Sequence, residues 1–112
     1  MTVSPLAPDR FPDMPAIAGL GLATAASDLK YTGRDDMLLM HCAKGSSIAA
    51  VFTKSDTAAA PVQWSRDALA SGHPPAAILV NAGNANAFTG SAGTATVTAS
   101  ATGMAQRIGC TP

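Results

Sequence analysis

The feature that most constrains this chain is the run Ala76-Ala77-Ile78-Leu79-Val80, which passes directly into Asn81-Ala82-Gly83-Asn84-Ala85-Asn86-Ala87-Phe88-Thr89-Gly90. Five apolar residues with β-branched members, bounded by Pro74-Pro75 and by asparagine, predict a strand covered on both faces and central in its sheet. A strand with one wet face would alternate instead. The following segment carries three asparagines within six residues. Asparagine tolerates the left-handed region and its amide bonds nearby backbone groups, so the segment can close into a rigid, self-bonded loop. It also opens a helix, where backbone N–H groups would favour an anion or a substrate carboxylate. Both readings stand on the residues alone, and Asn81, Gly83, Asn84 and Asn86 are the candidate loop residues in either.

Beyond that loop, Val97, Ala101, Met104 and Ile108 recur at helical spacing and give the stretch from Ser91 one apolar face, with Gly109 as its stop. Gly93, Gly103 and five threonines between Thr89 and Thr102 make this a weak helix on propensity, so packing has to hold it. Upstream, Pro61 opens a shorter helix through Val62, Trp64 and Leu69 that ends at Ser71-Gly72-His73-Pro74-Pro75. Three earlier strands are expected: one from Ile17, Leu20 and Leu22 fading toward Asp28, one at Met37-Leu38-Leu39-Met40, and one at Ser47 to Thr53. Turn residues at 33–36 and 44–46 would join them as a meander. Residues 1–15, with four prolines, are expected to form an extended arm. The fold class is therefore α/β in mixed α+β layers, with strands followed by helix, strand, loop and helix.

Composition enters where the core is considered. Of 53 apolar residues 24 are alanine, leaving 29 larger side chains for a chain of 112. Alanine suits close packing against further layers, so residues 16–112 are expected to be an incomplete domain. Seven basic and seven acidic residues cancel without forming a patch, which argues against nucleic acid as a partner. No apolar run approaches the ~20 residues that span a bilayer, and the N-terminus lacks the apolar centre of a signal peptide, so a soluble cytoplasmic protein with no membrane partner is expected.

Chemistry-bearing residues are sparse. Cys42 and Cys110 lack metal-ligand spacing and are expected to be buried or bystander thiols. His41, in an apolar strand, is expected to be partly buried, His73 to lie solvated in a turn, and Asp35-Asp36 to form a solvated turn. Gly19-Leu20-Gly21 lacks the spacing of a dinucleotide fingerprint, so no cofactor and no metal are assigned.

The loop Asn81-Ala82-Gly83-Asn84-Ala85-Asn86-Ala87 resembles the strand-borne "NSGNANA" signature of the self-cleaving ornithine/glutamate N-acetyltransferases of arginine biosynthesis. Further segments match in order: Pro5-Leu6-Ala7-Pro8, Lys30-Tyr31, Asp36-Met37-Leu38-Leu39-Met40, Ala49-Ala50-Val51-Phe52-Thr53, Ala59-Ala60-Pro61-Val62 and Ile108-Gly109-Cys110. The resemblance covers essentially the whole chain. Ala82 replaces the signature's serine and Ala50 the glycine common before Val-Phe-Thr, exchanges of small for small that bear on fine packing.

The resemblance implies the N-terminal portion of an ornithine acetyltransferase-like fold. It also implies an enzyme that cuts itself before a threonine and uses the freed hydroxyl to carry acetyl from N-acetylornithine to glutamate. A threonine hydroxyl needs a base, and the newly exposed α-amine, with a pKa near 8, supplies one. In the family the nucleophile and the Ser-Thr-Gly segment holding the oxyanion lie beyond the matching region, so carry-over yields no catalytic residue here. The implied partner is the remainder of the precursor, the C-terminal chain with the nucleophilic threonine, in a heterotetramer of two cleaved pairs. Alone, the chain is expected to be inactive and molten or aggregating. Ser100-Ala101-Thr102-Gly103-Met104 imitates a cleavage context, but Thr102 falls on the periodic helix and is read as structural. Two other readings compete: a free-standing α/β binding or regulatory module without the chemistry, and a hydrolase of related self-cleaving fold. A reading frame continuing past Pro112 into Ser-Thr-Gly and Ala-Thr-Met segments distinguishes the enzyme from the module.

Overall fold

The computed structural model describes residues 4–30 and 32–112. Met1 to Val3 of the expected arm, and Tyr31 of the Lys30-Tyr31 match, lie outside the described residues. The element order is β1 (Leu20–Ala25), β2 (Met37–Cys42), α1 (Ala60–Ala70), β3 (Ala77–Asn81) and α2 (Gly90–Ile108), a mixed α/β arrangement. The three strands form one antiparallel sheet in the order β1-β2-β3. Register pairs Leu22 with Met40 and Leu39 with Leu79, so Leu20, Leu22, Leu38, Met40, Ile78 and Val80 share one face.

Two expectations about strands are corrected here. Residues 47–53 form no strand, and Val51 is 98% exposed. Both edges of β2 are already occupied by β1 and β3. The segment is held to α1 instead, because Arg66 Nη2 donates to Thr53 O (2.9 Å) while its guanidinium lies 5.5 Å from the centre of the Phe52 ring. Nor is β3 central. It forms a sheet edge, with Ile78 and Val80 38% and 44% exposed, since the second covering layer its composition asks for is absent from the described residues.

The helices form as their sequences predict. Pro61 opens α1, where a missing N–H costs nothing. Gly109 closes α2 in the left-handed conformation (φ 73°), donating its N–H to Ala105 O. The apolar face of α2 is real: Val97, Ala101, Met104 and Ile108 are half-buried and Ala105 is buried. The two helices pack on each other and the strands on each other, with little contact between the two groups.

The result is an open structure. Among the described residues Ala105 is the one buried apolar side chain, in keeping with the alanine-heavy composition. The accessible surface is 8739 Å², where a compact protein of this mass shows roughly 5,700 Å². The radius of gyration is 15.8 Å, against roughly 13 Å for a compact domain of this length. Leu6, Phe11 and Met14 of the N-terminal segment are exposed.

Candidate functional site

The loop between β3 and α2 is closed by its own polar groups. Asn84 Oδ1 accepts from Asn86 N–H and Asn84 Nδ2 donates to Asn86 Oδ1, both at 3.0 Å, so the two side chains form a ring across Ala85. Asn86 is left-handed (φ 48°), a conformation asparagine adopts more readily than most residues. Its carbonyl accepts from Thr89 Oγ1 (3.0 Å) and from Ala60 N–H (3.2 Å), the latter at the start of α1. Asn86 therefore joins the loop, α1 and the residue capping α2. Gly83 (φ 115°) passes so near Lys30 that a Cβ there would meet Lys30 Cβ at 2.9 Å. Asn81 ends β3 opposite Met37 and is exposed.

The loop's other anchor is Asp36, and it corrects the expectation of a solvated Asp35-Asp36 turn. Asp36 is 5% exposed. Its carboxylate accepts from Ser27 N–H (2.6 Å), Ser27 Oγ (2.7 Å) and Leu29 N–H (3.3 Å). The Ser27 bonds, backbone first and hydroxyl second, favour the charged form and hold its pKa below the ordinary carboxylate value. Its backbone receives Ala82 N–H (2.8 Å) and donates to Ala25 O (3.1 Å), so one residue ties the end of β1, the start of β2 and the asparagine loop together. Asp35 does face solvent and takes a hydrogen bond from Thr24 Oγ1. The sequence signal for Asp36 was weak: a serine nine residues earlier, facing it across the β1–β2 connection.

An open cleft of about 470 Å³ lies between α1, the loop and α2, lined among others by Asp56, Trp64, Asp67, Asn86 and Phe88. Phe88 is left-handed (φ 57°), which strains a bulky side chain, and it is 87% exposed. The cleft's threonine hydroxyls are bonded away from any base: Thr57 to Ser55 Oγ, Thr89 to Asn86 O, and Thr94 to Gly90 O at 3.5 Å. Its lining residues therefore offer no nucleophile and base in contact.

The remaining candidates fall apart in space. Thr102 is half-buried inside α2 and does not line the cleft. His41 is exposed, contrary to expectation, because its strand neighbours Gly21 and Ala77 are too small to cover it. His73 lies in an exposed turn with Nδ1 2.9 Å from Ser71 Oγ, and that hydroxyl donates to Ala68 O, so the pair closes α1. Cys42 and Cys110 are free and half-buried. Among the described residues no three His, Cys, Asp or Glu side chains gather as a metal site. No helix there is long and apolar enough to cross a membrane.

Comparison with known proteins supplies what this geometry leaves open. The model of the ArgJ family matches residues 21–112. The arginine biosynthesis bifunctional protein ArgJ of Agrobacterium fabrum is 50% identical over 110 residues, covering 98% of this chain and 26% of the relative. The protein of the same name from Bradyrhizobium diazoefficiens is 49% identical over 109 residues, covering 97% and 26%. Among solved structures, Mycobacterium tuberculosis ornithine acetyltransferase, in complex with ornithine, superposes with a TM-score of 0.68 at 38% identity, over 75% of this chain and 44% of that one. The chain thus spans about a quarter of the length of the curated relatives it matches.

Proposed function

Because the chain belongs to the ArgJ family, we propose that it is the N-terminal scaffold of an acetyltransferase that moves an acetyl group from N-acetylornithine to glutamate through an acyl-threonine. The observation that carries this reading is the family match across residues 21–112, joined to a share of only 26% of the relatives' length. Residues 1–15 are the arm and 16–112 the incomplete domain. The remainder of the polypeptide supplies the threonine, the base and the oxyanion donors, in cleaved pairs that assemble two by two in the cytoplasm.

In this scheme the chain's residues position and do not react. Asn84 and Asn86 stiffen the step from β3 to α2, Gly83 lets it approach Lys30, and the Ala82 N–H bond to Asp36 O, next to Asn81, fixes where it leaves the sheet. Acyl transfer needs reacting atoms held to within a fraction of an ångström, so a rigid support behind the site contributes even without touching substrate. A cleft without an activated hydroxyl and a surface about 3,000 Å² larger than a compact chain's both support a site completed by other residues.

The test is direct. The longer polypeptide, given N-acetylornithine and glutamate, should yield N-acetylglutamate and ornithine, while residues 1–112 alone should yield neither. Acetate in place of N-acetylglutamate would make it a hydrolase, and turnover by residues 1–112 alone would overturn the proposal.

A further inference from the structure

The free edge of β3 is built as an interior position, and its hydrogen-bonding pattern shows which groups await a neighbour. Cys42 N–H donates to Ala76 O and Ala82 N–H to Asp36 O, each at 2.8 Å. With the register Met40 to Ile78 and Leu38 to Val80, antiparallel alternation turns the backbone of Ala76, Ile78, Val80 and Ala82 toward β2. The N–H and C=O groups of Ala77, Leu79 and Asn81 therefore point outward, and no described residue bonds them. Natural sheets guard such an edge with a charge, a proline or a bulge. Ala77–Asn81 has none of these. Its side chains are apolar on both faces, with Ile78 and Val80 on one and Ala77 and Leu79 on the other. The outer edge of β1 differs, because Gly21, Ala23 and Ala25 alternate there with Leu20, Leu22 and Thr24, a pattern suited to a rim.

We propose that a strand from the remaining part of the acetyltransferase polypeptide adds to the β3 edge through Ala77, Leu79 and Asn81, making β3 an interior strand. This rests on the reading that the chain is part of a longer enzyme. The relatives' length leaves about three-quarters of a polypeptide to supply the strand. The surface in excess of a compact chain, about 3,000 Å², is of the size that obligate interfaces bury. The occupant that fits is an extended, uncharged segment with apolar side chains on both faces, since any charge beside Ile78 or Val80 would lie against apolar surface without a partner. Pairing there would carry the asparagine loop, which leaves β3 at Asn81, into the interior of the sheet's rim.

Residue-resolved amide exchange on the longer polypeptide tests this independently of catalysis. The Leu79 and Asn81 amides should exchange slowly, within about tenfold of Val80, whose N–H faces β2. A larger gap between Leu79 and Val80 overturns the proposal. Protection of Leu79 that disappears on dilution to a single cleaved pair also overturns it, because the neighbour would then be a second copy. An inactive polypeptide with Leu79 protected counts against the acetyl-transfer reading alone and leaves the strand addition standing.

Discussion

Gly93 and Gly103 lie ten residues apart in α2, and the same substitution should move stability in opposite directions at the two sites. A Cβ at Gly103 meets nothing within 4 Å, so Gly103→Ala gains the helix-propensity difference alone, about 1 kcal/mol. At Gly93 a Cβ would overlap Thr89 Oγ1, stand 3.0 Å from Thr89 Cβ, and touch Ala60 Cβ at 3.6 Å. Rotating Thr89 clears the hydroxyl but breaks its bond to Asn86 O, a loss of about 1 kcal/mol. The approach to Thr89 Cβ does not change with rotation, so the backbone has to yield, at a further 1–3 kcal/mol or so for overpacking. With the propensity gain subtracted, Gly93→Ala should destabilise by about 1–3 kcal/mol. Urea midpoints and thermal transitions of both variants in the longer polypeptide check the pair. A Gly93→Ala protein as stable as Gly103→Ala would refute the claim that α2 packs closely at Gly93 against Thr89 and against Ala60 of α1.

Asp36→Asn keeps the shape of the side chain and removes the charge that the Ser27 and Leu29 donors stabilise. Because the native carboxyl is more acidic than its ordinary value of 3.8, its contribution is full above that pH and is lost as pH falls through the lower native value. The melting-temperature gap between wild type and Asp36→Asn should therefore stay constant from neutral pH down to about 5 and close below 3.8; a gap that widens in acid would contradict this. Asn86→Ala loses the bond from Asn84 and places alanine at φ 48°, for about 1–3 kcal/mol in total, whereas Asn86→Gly accepts that backbone and should cost about 1 kcal/mol. Equal losses in denaturant unfolding would show that the left-handed conformation carries no weight. Thr102→Ala, inside α2, should leave self-cleavage and acetyl transfer within about twofold of wild type, measured by chain separation and product formation.

The elements legible in the sequence were those whose determinants are local. Pro61 and Gly109 bound their helices, and Val97, Ala101, Met104 and Ile108 marked the packed face of α2. The asparagine loop was legible for the same reason, since Asn84 and Asn86 satisfy each other over two residues. The misread segments depend on distant partners. Residues 47–53 have strand composition, but Arg66, thirteen residues beyond Thr53, holds them against α1. Asp36 looked solvated because its donors lie seven and nine residues earlier. His41 looked covered because its own strand is apolar, while its cross-strand neighbours are glycine and alanine. For β3 the composition describes a strand with neighbours on every side, and the described residues supply one of them.

Trapping the acyl intermediate tests most directly whether this chain carries the scaffold and not the chemistry. The longer polypeptide is incubated with N-acetylornithine without acceptor, quenched, digested and mapped by mass for a single added acetyl group. The acetyl should appear on a threonine outside residues 1–112. Acetyl on Thr102, or on any hydroxyl between Met1 and Pro112, would contradict the assignment.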